Sequence, residues 1–244
     1  MKKIHYYIII LVLITTSFSN SRVSFSRPGS FIRSSSFQPY NPNQLFSISI
    51  GSEVTSVGNI FSHSSSFALN KTNMNGTSWG LSYTLLPYTG IDESAADSNT
   101  DYEFGAHFQT NLYSTGKTNI TAGIHDLILD EEEAIVLKDL SIFMNFSNTL
   151  SVSDYNLTTQ LGIGSGRMAY DPHTEYKTST GLGVYAAMKL NTPHLKDWGG
   201  VDFITEFIHG GLNVALSIPF TQEYQLSFGI THLENLSDFG NQSD

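Results

Sequence analysis

TSWGLSYTLL, residues 77–86, puts Trp79, Leu81, Tyr83 and Leu85 on one side of an extended chain and Ser78, Gly80, Ser82 and Thr84 on the other. Alternation at period two marks a β-strand, because successive side chains leave a pleated backbone on opposite faces. The pattern returns in DYEFGAHFQT (101–110), where Tyr102, Phe104, Ala106 and Phe108 form the apolar face. A soluble strand normally wets its outer face with Lys and Glu. Here the second face is small and polar instead, and only 14% of all residues are charged.

Working outward, the same alternation predicts strands at 44–51, 62–69, 77–86, 101–110, 117–125, 138–147, 155–164, 178–189, 200–208, 211–218 and 223–232. Most run about nine to eleven residues, the length at which a tilted strand crosses a bilayer. Ordinary strands average about five or six. The segments between them alternate in length. NKTNMNG, NLYSTG and NTLSVSD are short, while LPYTGIDESAADSNT, DLILDEEEAIVL and SGRMAYDPHTEYK are long and polar. That rhythm is expected of an up-and-down barrel with one rim of turns and one rim of loops. It weakens at His209-Gly210.

The ends read differently. Lys2 and Lys3 precede an apolar run from Tyr6 to Ile14, and Ser17 and Ser19 follow it. This is the layout of a cleaved signal peptide, residues 1–19. Residues 20–43 lack periodicity and are rich in Ser, Arg and Pro, as in an exposed or plugging N-terminal segment. Residues 44–244 read as one β-domain. No stretch reaches the roughly 18 apolar residues of a membrane helix.

Charge and cysteine narrow the function classes. The chain carries 12 basic and 22 acidic residues, and loss of Lys2 and Lys3 would deepen its net charge from −10 to −12. Nucleic acid is not an expected partner, since phosphate binding needs a basic face. With no cysteine there is no disulfide scaffold, no lipidated N-terminal cysteine and no thiolate metal site.

Strand length, sparse strand charge and loop rhythm together resemble the bacterial outer-membrane β-barrel proteins over about residues 45–232. VDFITEFIHGGLNVALSIPF (201–220) is similar to hairpins of that class: a strand closing on Glu206-Phe207 turns through glycines into Gly-Leu-Asn and a second strand. The resemblance implies an all-β, up-and-down antiparallel transmembrane β-barrel of about 10–12 strands. It also implies outer-membrane lipids and the barrel-assembly machinery as partners. Two departures stand beside it. Such barrels have an even strand count and usually end on an aromatic residue, whereas eleven strands are read here and the chain ends Asn241-Gln242-Ser243-Asp244.

With apolar residues facing lipid, the opposite set faces a lumen: Glu103, His107 and Gln109; Tyr185 and Lys189; Asp202 and Glu206. Charges belong there because Lys or Arg at the lipid midplane costs about 2–4 kcal/mol. Glu103 and His107 share a face and read either as a proton-sensitive pair or cation path, or as part of a salt-bridged lumen with Lys189 or Arg167. Tyr88, Tyr102, Tyr113, Tyr170, Tyr176, Trp198 and Tyr224, near strand ends, suit interfacial girdles.

Catalytic spellings lack their context. Gly76-Thr77-Ser78-Trp79-Gly80 spells a nucleophile elbow, but alternation runs straight through it where a strand–turn–helix is needed. Gly162-Ile163-Gly164-Ser165-Gly166 has no following helix to bind phosphate. Histidine spacing matches no zinc site, and Asp130-Glu131-Glu132-Glu133 lacks the spaced ligands of a calcium loop. The expectation is a non-enzymatic, porin-like barrel without cofactor or metal, structural, export-accessory or passing a narrow solute. The alternatives are a secreted soluble β-sandwich or barrel binding a ligand or glycan, and an outer-membrane hydrolase.

Overall fold

The computed structural model describes residues 25–29, 31–37, 42, 46–57, 60–86, 101–129, 140–171, 176–177, 181–208, 210–221, 224–231 and 233. Among the described residues thirteen strands are formed: β1 (Ser47–Val57), β2 (Ile60–Thr72), β3 (Thr77–Leu86), β4 (Asp101–Thr115), β5 (Thr118–Leu129), β6 (Ser141–Val152), β7 (Tyr155–Gly164), β8 (Tyr170–Asp171), β9 (Tyr176–Lys177), β10 (Gly183–Thr192), β11 (Val201–Ile208), β12 (Gly211–Pro219) and β13 (Gln225–Ile230). Two single 3₁₀ turns, Gly166–Met168 and Lys196–Trp198, are the helical elements among the described residues. None of these is long and apolar enough to cross a membrane as a helix.

Eleven strands form one antiparallel sheet in the order β1-β2-β3-β4-β5-β6-β7-β10-β11-β12-β13, so every neighbour in space is the next long strand in sequence. β8 and β9 make a separate two-residue ladder within the β7–β10 connection. The up-and-down order follows from the turns. Asn75-Gly76 closes β2 onto β3 with Gly76 at φ +78°, and Gly116 at φ +24° closes β4 onto β5. Among the described residues β1 and β13 each have one neighbour, so the sheet keeps two free edges. The odd strand number makes those two edges run in the same direction.

Strand bounds shift from the sequence reading in two instructive places. Residues 52–61, read as a connection, belong largely to β1 and β2, which pair from Ser47↔Asn70 to Val57↔Ile60. Val54, Thr55, Ser56 and Val57 are strand formers, and only Gly58-Asn59 carries turn chemistry. β4 extends past residue 110 to Thr115. The strand ends Leu86, Leu129 and Gly164, which lead into the long connections, lie at one end of the sheet. Thr72, Thr115, Val152, Thr192 and Pro219 lie at the other.

The sheet is curled, and three residues prove it. Ser34, Ser35 and Ser36 together bond side chains from β4, β5, β6, β7 and β11. On a flat sheet β4 and β11 would stand about 24 Å apart, five steps of roughly 4.8 Å. Three extended residues span only about 10 Å. The wall therefore bends around this segment.

The two faces have opposite chemistry. On β6, Ile142, Met144 and Phe146 are exposed while Ser141, Asn145 and Ser147 are buried. On β7 and β10, Leu161, Ile163, Val184 and Met188 are exposed while Gln160 and Tyr185 are buried. Ile50 is 75% exposed and Val184 62%, against 1% for both Gln109 and Glu206. Of the outward strand positions from Trp79 to Ile230 whose side chains are described, none carries a charge. Among the described residues the large buried apolar side chains gather in two small inner clusters, Phe31 and Ile32 with Ala187, Ile204 and Ala215, and Phe143, Met168, Tyr185 and Ile208.

Candidate functional site

The site is the inner face of the curl, and residues 25–29 and 31–37 lie within it. This segment has its own fold. Phe25 N–H bonds the Ile32 carbonyl at 2.8 Å, Phe31 N–H the Ser34 carbonyl at 3.0 Å, and Ser36 N–H the Gly29 carbonyl at 2.9 Å. Pro28-Gly29 makes the turn that permits this. Gly29 has φ +65°, and a Cβ there would stand 2.2 Å from the Ser36 carbonyl oxygen, so no other residue fits.

β5 supplies the wall's most specialised feature. Its register to β4 slips between Ala106↔Leu127 and Phe108↔Ile124, leaving His125 and Asp126 as a β-bulge opposite His107. Asp126 sits at φ +64°, a left-handed conformation that costs an ordinary residue about 1–3 kcal/mol. The bulge turns two successive side chains inward, and both are fully buried. Asp126 meets Arg27 in a two-pronged ion pair: Nε donates to Oδ1 at 3.0 Å and Nη2 to Oδ2 at 2.8 Å. Ser141 Oγ donates to Oδ2 at 2.6 Å. Nη1 of Arg27 donates to the Arg33 carbonyl and closes the segment on itself.

The remaining wall contacts address the segment's main chain. Glu206 accepts the Arg33 N–H at 2.9 Å and the Ser34 N–H at 2.7 Å, one on each carboxylate oxygen, and is steadied by Asn213 Nδ2 at 3.2 Å. Asn145 Nδ2 and Gln160 Nε2 each donate to the Ser35 carbonyl at 2.7 Å. Gln109 Nε2 donates to the Ser36 carbonyl at 2.9 Å. Two side-chain pairs join them, Ser35 Oγ with His125 Nδ1 at 2.8 Å and Gln160 Nε2 donating to Ser34 Oγ at 3.3 Å.

The seven residues singled out from sequence separate into three groups. Gln109 and Glu206 bind the segment directly. Glu103 is paired with Arg167 at 2.8 Å, and Lys189 lies 3.9 Å from Asp202 with its ammonium 5.7 Å from the Phe31 ring centre. His107 and Tyr185 are buried in the wall. Tyr185 faces Gly162 across the β10–β7 ladder, where a Cβ would stand 2.2 Å from the ring, so the glycine makes room for the aromatic. Glu103 and His107 are not joined, since Glu103 reaches Arg167 while His107 turns to Ser82 and Asp126. Arg27, His125, Asp126, Asn145 and Gln160 complete the site. The β5 members left a trace in the sequence: outward apolar residues run Ile120, Ala122, Ile124 and then skip to Leu127.

Ser82, His107 and Asp126 together have the outline of a nucleophile–base–acid series. Ser82 Oγ is 2.9 Å from His107 Nε2, and His107 Nδ1 is 3.6 Å from Asp126 Oδ1. The proton sits on the wrong nitrogen for that chemistry. The Asp126 main-chain N–H donates to Nδ1 at 3.2 Å, so Nε2 carries the hydrogen and donates to Ser82. Both Asp126 oxygens are meanwhile held by Arg27. Among the described residues no group of three or more His, Cys, Asp or Glu is placed to hold a metal ion.

The fold and site define an all-β, up-and-down antiparallel sheet curled about a polar interior. No family model, no curated protein and no solved structure matches this chain.

Proposed function

We propose that this chain is an outer-membrane β-barrel protein whose interior is occupied by residues 25–29 and 31–37, with a structural or export-accessory role rather than an open pore or catalysis. The observation that carries this reading is the inverted partition of side chains. Large apolar residues are exposed all along one face, and Ser, Asn, Gln, His, Asp and Glu are buried on the other. In water so much contiguous apolar surface would drive association. In a bilayer it is the face lipid requires, while the polar face satisfies its hydrogen bonds internally.

Rim residues support the same reading. Tyr113, Tyr155, Trp198 and Tyr224 are all exposed at the end carrying the shorter connections, as interfacial aromatics would be. Lys196 and Asp154, from two connections at that end, pair at 2.7 Å with both side chains exposed, where headgroups and water would surround them. A soluble sandwich would need two facing sheets to bury its apolar residues, whereas these belong to one sheet with its apolar side outward. Export by a signal peptide cleaved near Ser19, lipid contact and delivery by the assembly machinery belong to this reading.

The test is fractionation of the full chain with gel mobility before and after boiling. The expected result is recovery with outer membrane and a heat-dependent shift in mobility. Folded monomer recovered from buffer without detergent would overturn the reading in favour of a secreted ligand-binding β-protein.

A further inference from the structure

The wall grips residues 25–37 as a receptor grips a peptide. Five hydrogen bonds between Gln109, Asn145, Gln160 and Glu206 and main-chain atoms of Arg33, Ser34, Ser35 and Ser36, four of them buried, hold it. Any residue but proline offers those groups, so these contacts fix a backbone path more than a sequence. Sequence enters through Ser35 Oγ on His125, through Phe31 and Ile32 in the inner apolar cluster, and most sharply at Arg27, whose guanidinium is met by both oxygens of Asp126. A planar fork on a carboxylate selects arginine over lysine. The wall holds Asp126 in a left-handed conformation on a bulge in order to present it. Strain of that kind persists where the surrounding structure enforces it for a task.

The segment's own bonds also set it apart. Its three internal main-chain bonds and the Arg27–Arg33 contact close it as a small turn. It adds no strand to the sheet, whose ladders run from β1 to β13 without it.

We propose that the curled inner face is a binding site for an arginine-bearing peptide turn, with Asp126 as guanidinium receptor and Glu206 and the three carboxamides as main-chain clamp. Residues 25–37 are its built-in and exchangeable occupant. The proposal stands on the inner face alone and does not require the outer face to meet lipid.

The experiment uses the full chain with a protease site inserted between Tyr40 and Asn41. After cleavage, a fluorescent synthetic peptide of residues 20–40 is added and followed by anisotropy, with the sheet monitored by circular dichroism. The expected result is saturable exchange at one peptide per chain. An Arg27→Lys peptide should compete at least about tenfold less well, and Asp126→Asn in the protein should erase the difference between the two peptides. A second arm does not depend on the variant folding: the unmodified cleaved chain is challenged with Arg27→Lys peptide alone. A cleaved segment that never exchanges while the sheet stays folded would overturn the proposal. So would equal competition by the Arg27 and Arg27→Lys peptides.

Discussion

The two faces of β6 differ more from each other than either differs from the rest of the sheet. Outward, Ile142, Met144 and Phe146 touch little and are half exposed. Inward, Ser141 holds Asp126, Asn145 holds the Ser35 carbonyl, and Phe143 packs 4.6 Å from the His125 ring centre. One strand thus carries two opposite chemistries. Its inner face is specified by directional bonds, where a lost partner leaves a buried polar group exposed to an apolar or empty neighbourhood. Its outer face is specified by the absence of charge, which many apolar residues satisfy equally. Inner substitutions should therefore be expensive and particular, and outer ones tolerant until a charge is introduced.

The largest effect is expected at the buried ion pair. Asp126→Ala removes the receptor for Arg27 and should destabilise the fold by about 3–5 kcal/mol, because a guanidinium is left buried without its carboxylate. Urea unfolding of the detergent-solubilised protein measures it. Combining the change with Arg27→Met should recover a large part of the loss, since both charges are then gone. A loss below about 1 kcal/mol would mean that the inner face is solvated.

Met144→Arg tests the opposite face of the same strand. In a bilayer it should cost about 2–4 kcal/mol. On a water-exposed face the same change would stay within about 0.5 kcal/mol. Phospholipid-vesicle refolding titrations separate the two.

Gly162→Ala sharpens the inner face at a single atom. The added methyl would meet the Tyr185 ring, and overpacking of this kind costs about 1–3 kcal/mol. Tyr185→Leu should relieve part of it in a double-mutant cycle.

The smallest effect lies at the rim, outside both faces. The bond to Asp154 raises the Lys196 ammonium above its usual pKa. A raised lysine contributes fully below its unfolded value and loses that contribution as pH climbs through the folded one. The Lys196 side chain should titrate later than a free lysine by NMR, and revert in Asp154→Asn with no change in fold.

The faces were legible in the sequence because side-chain alternation is a local property. DYEFGAHFQT already separates Phe104 and Phe108 from His107 and Gln109, and the structure keeps that division. Strand number was legible for the same reason. The site was less so. Residues 33–36 engage the wall largely through N–H and C=O groups, which nearly every residue type possesses, so their composition carries little sign of where they pack. Asp126 was hidden by a phase slip of one residue between Ile124 and Leu127, a signal that is visible once the bulge is known. Glu103 pairs with Arg167, one of the two partners the sequence reading offered for its face, while Lys189 approaches Asp202 across the β10–β11 hairpin.

A chain without cysteine allows the central claim to be tested position by position. Single cysteines from Ile142 to Ser147, spin-labelled in the refolded protein in lipid vesicles, report oxygen and water-soluble relaxant accessibility. The account predicts strict alternation, with Ile142, Met144 and Phe146 accessible to oxygen from the lipid and Phe143, Asn145 and Ser147 shielded from both. Accessibility of Ile142, Met144 and Phe146 to the water-soluble relaxant would contradict it.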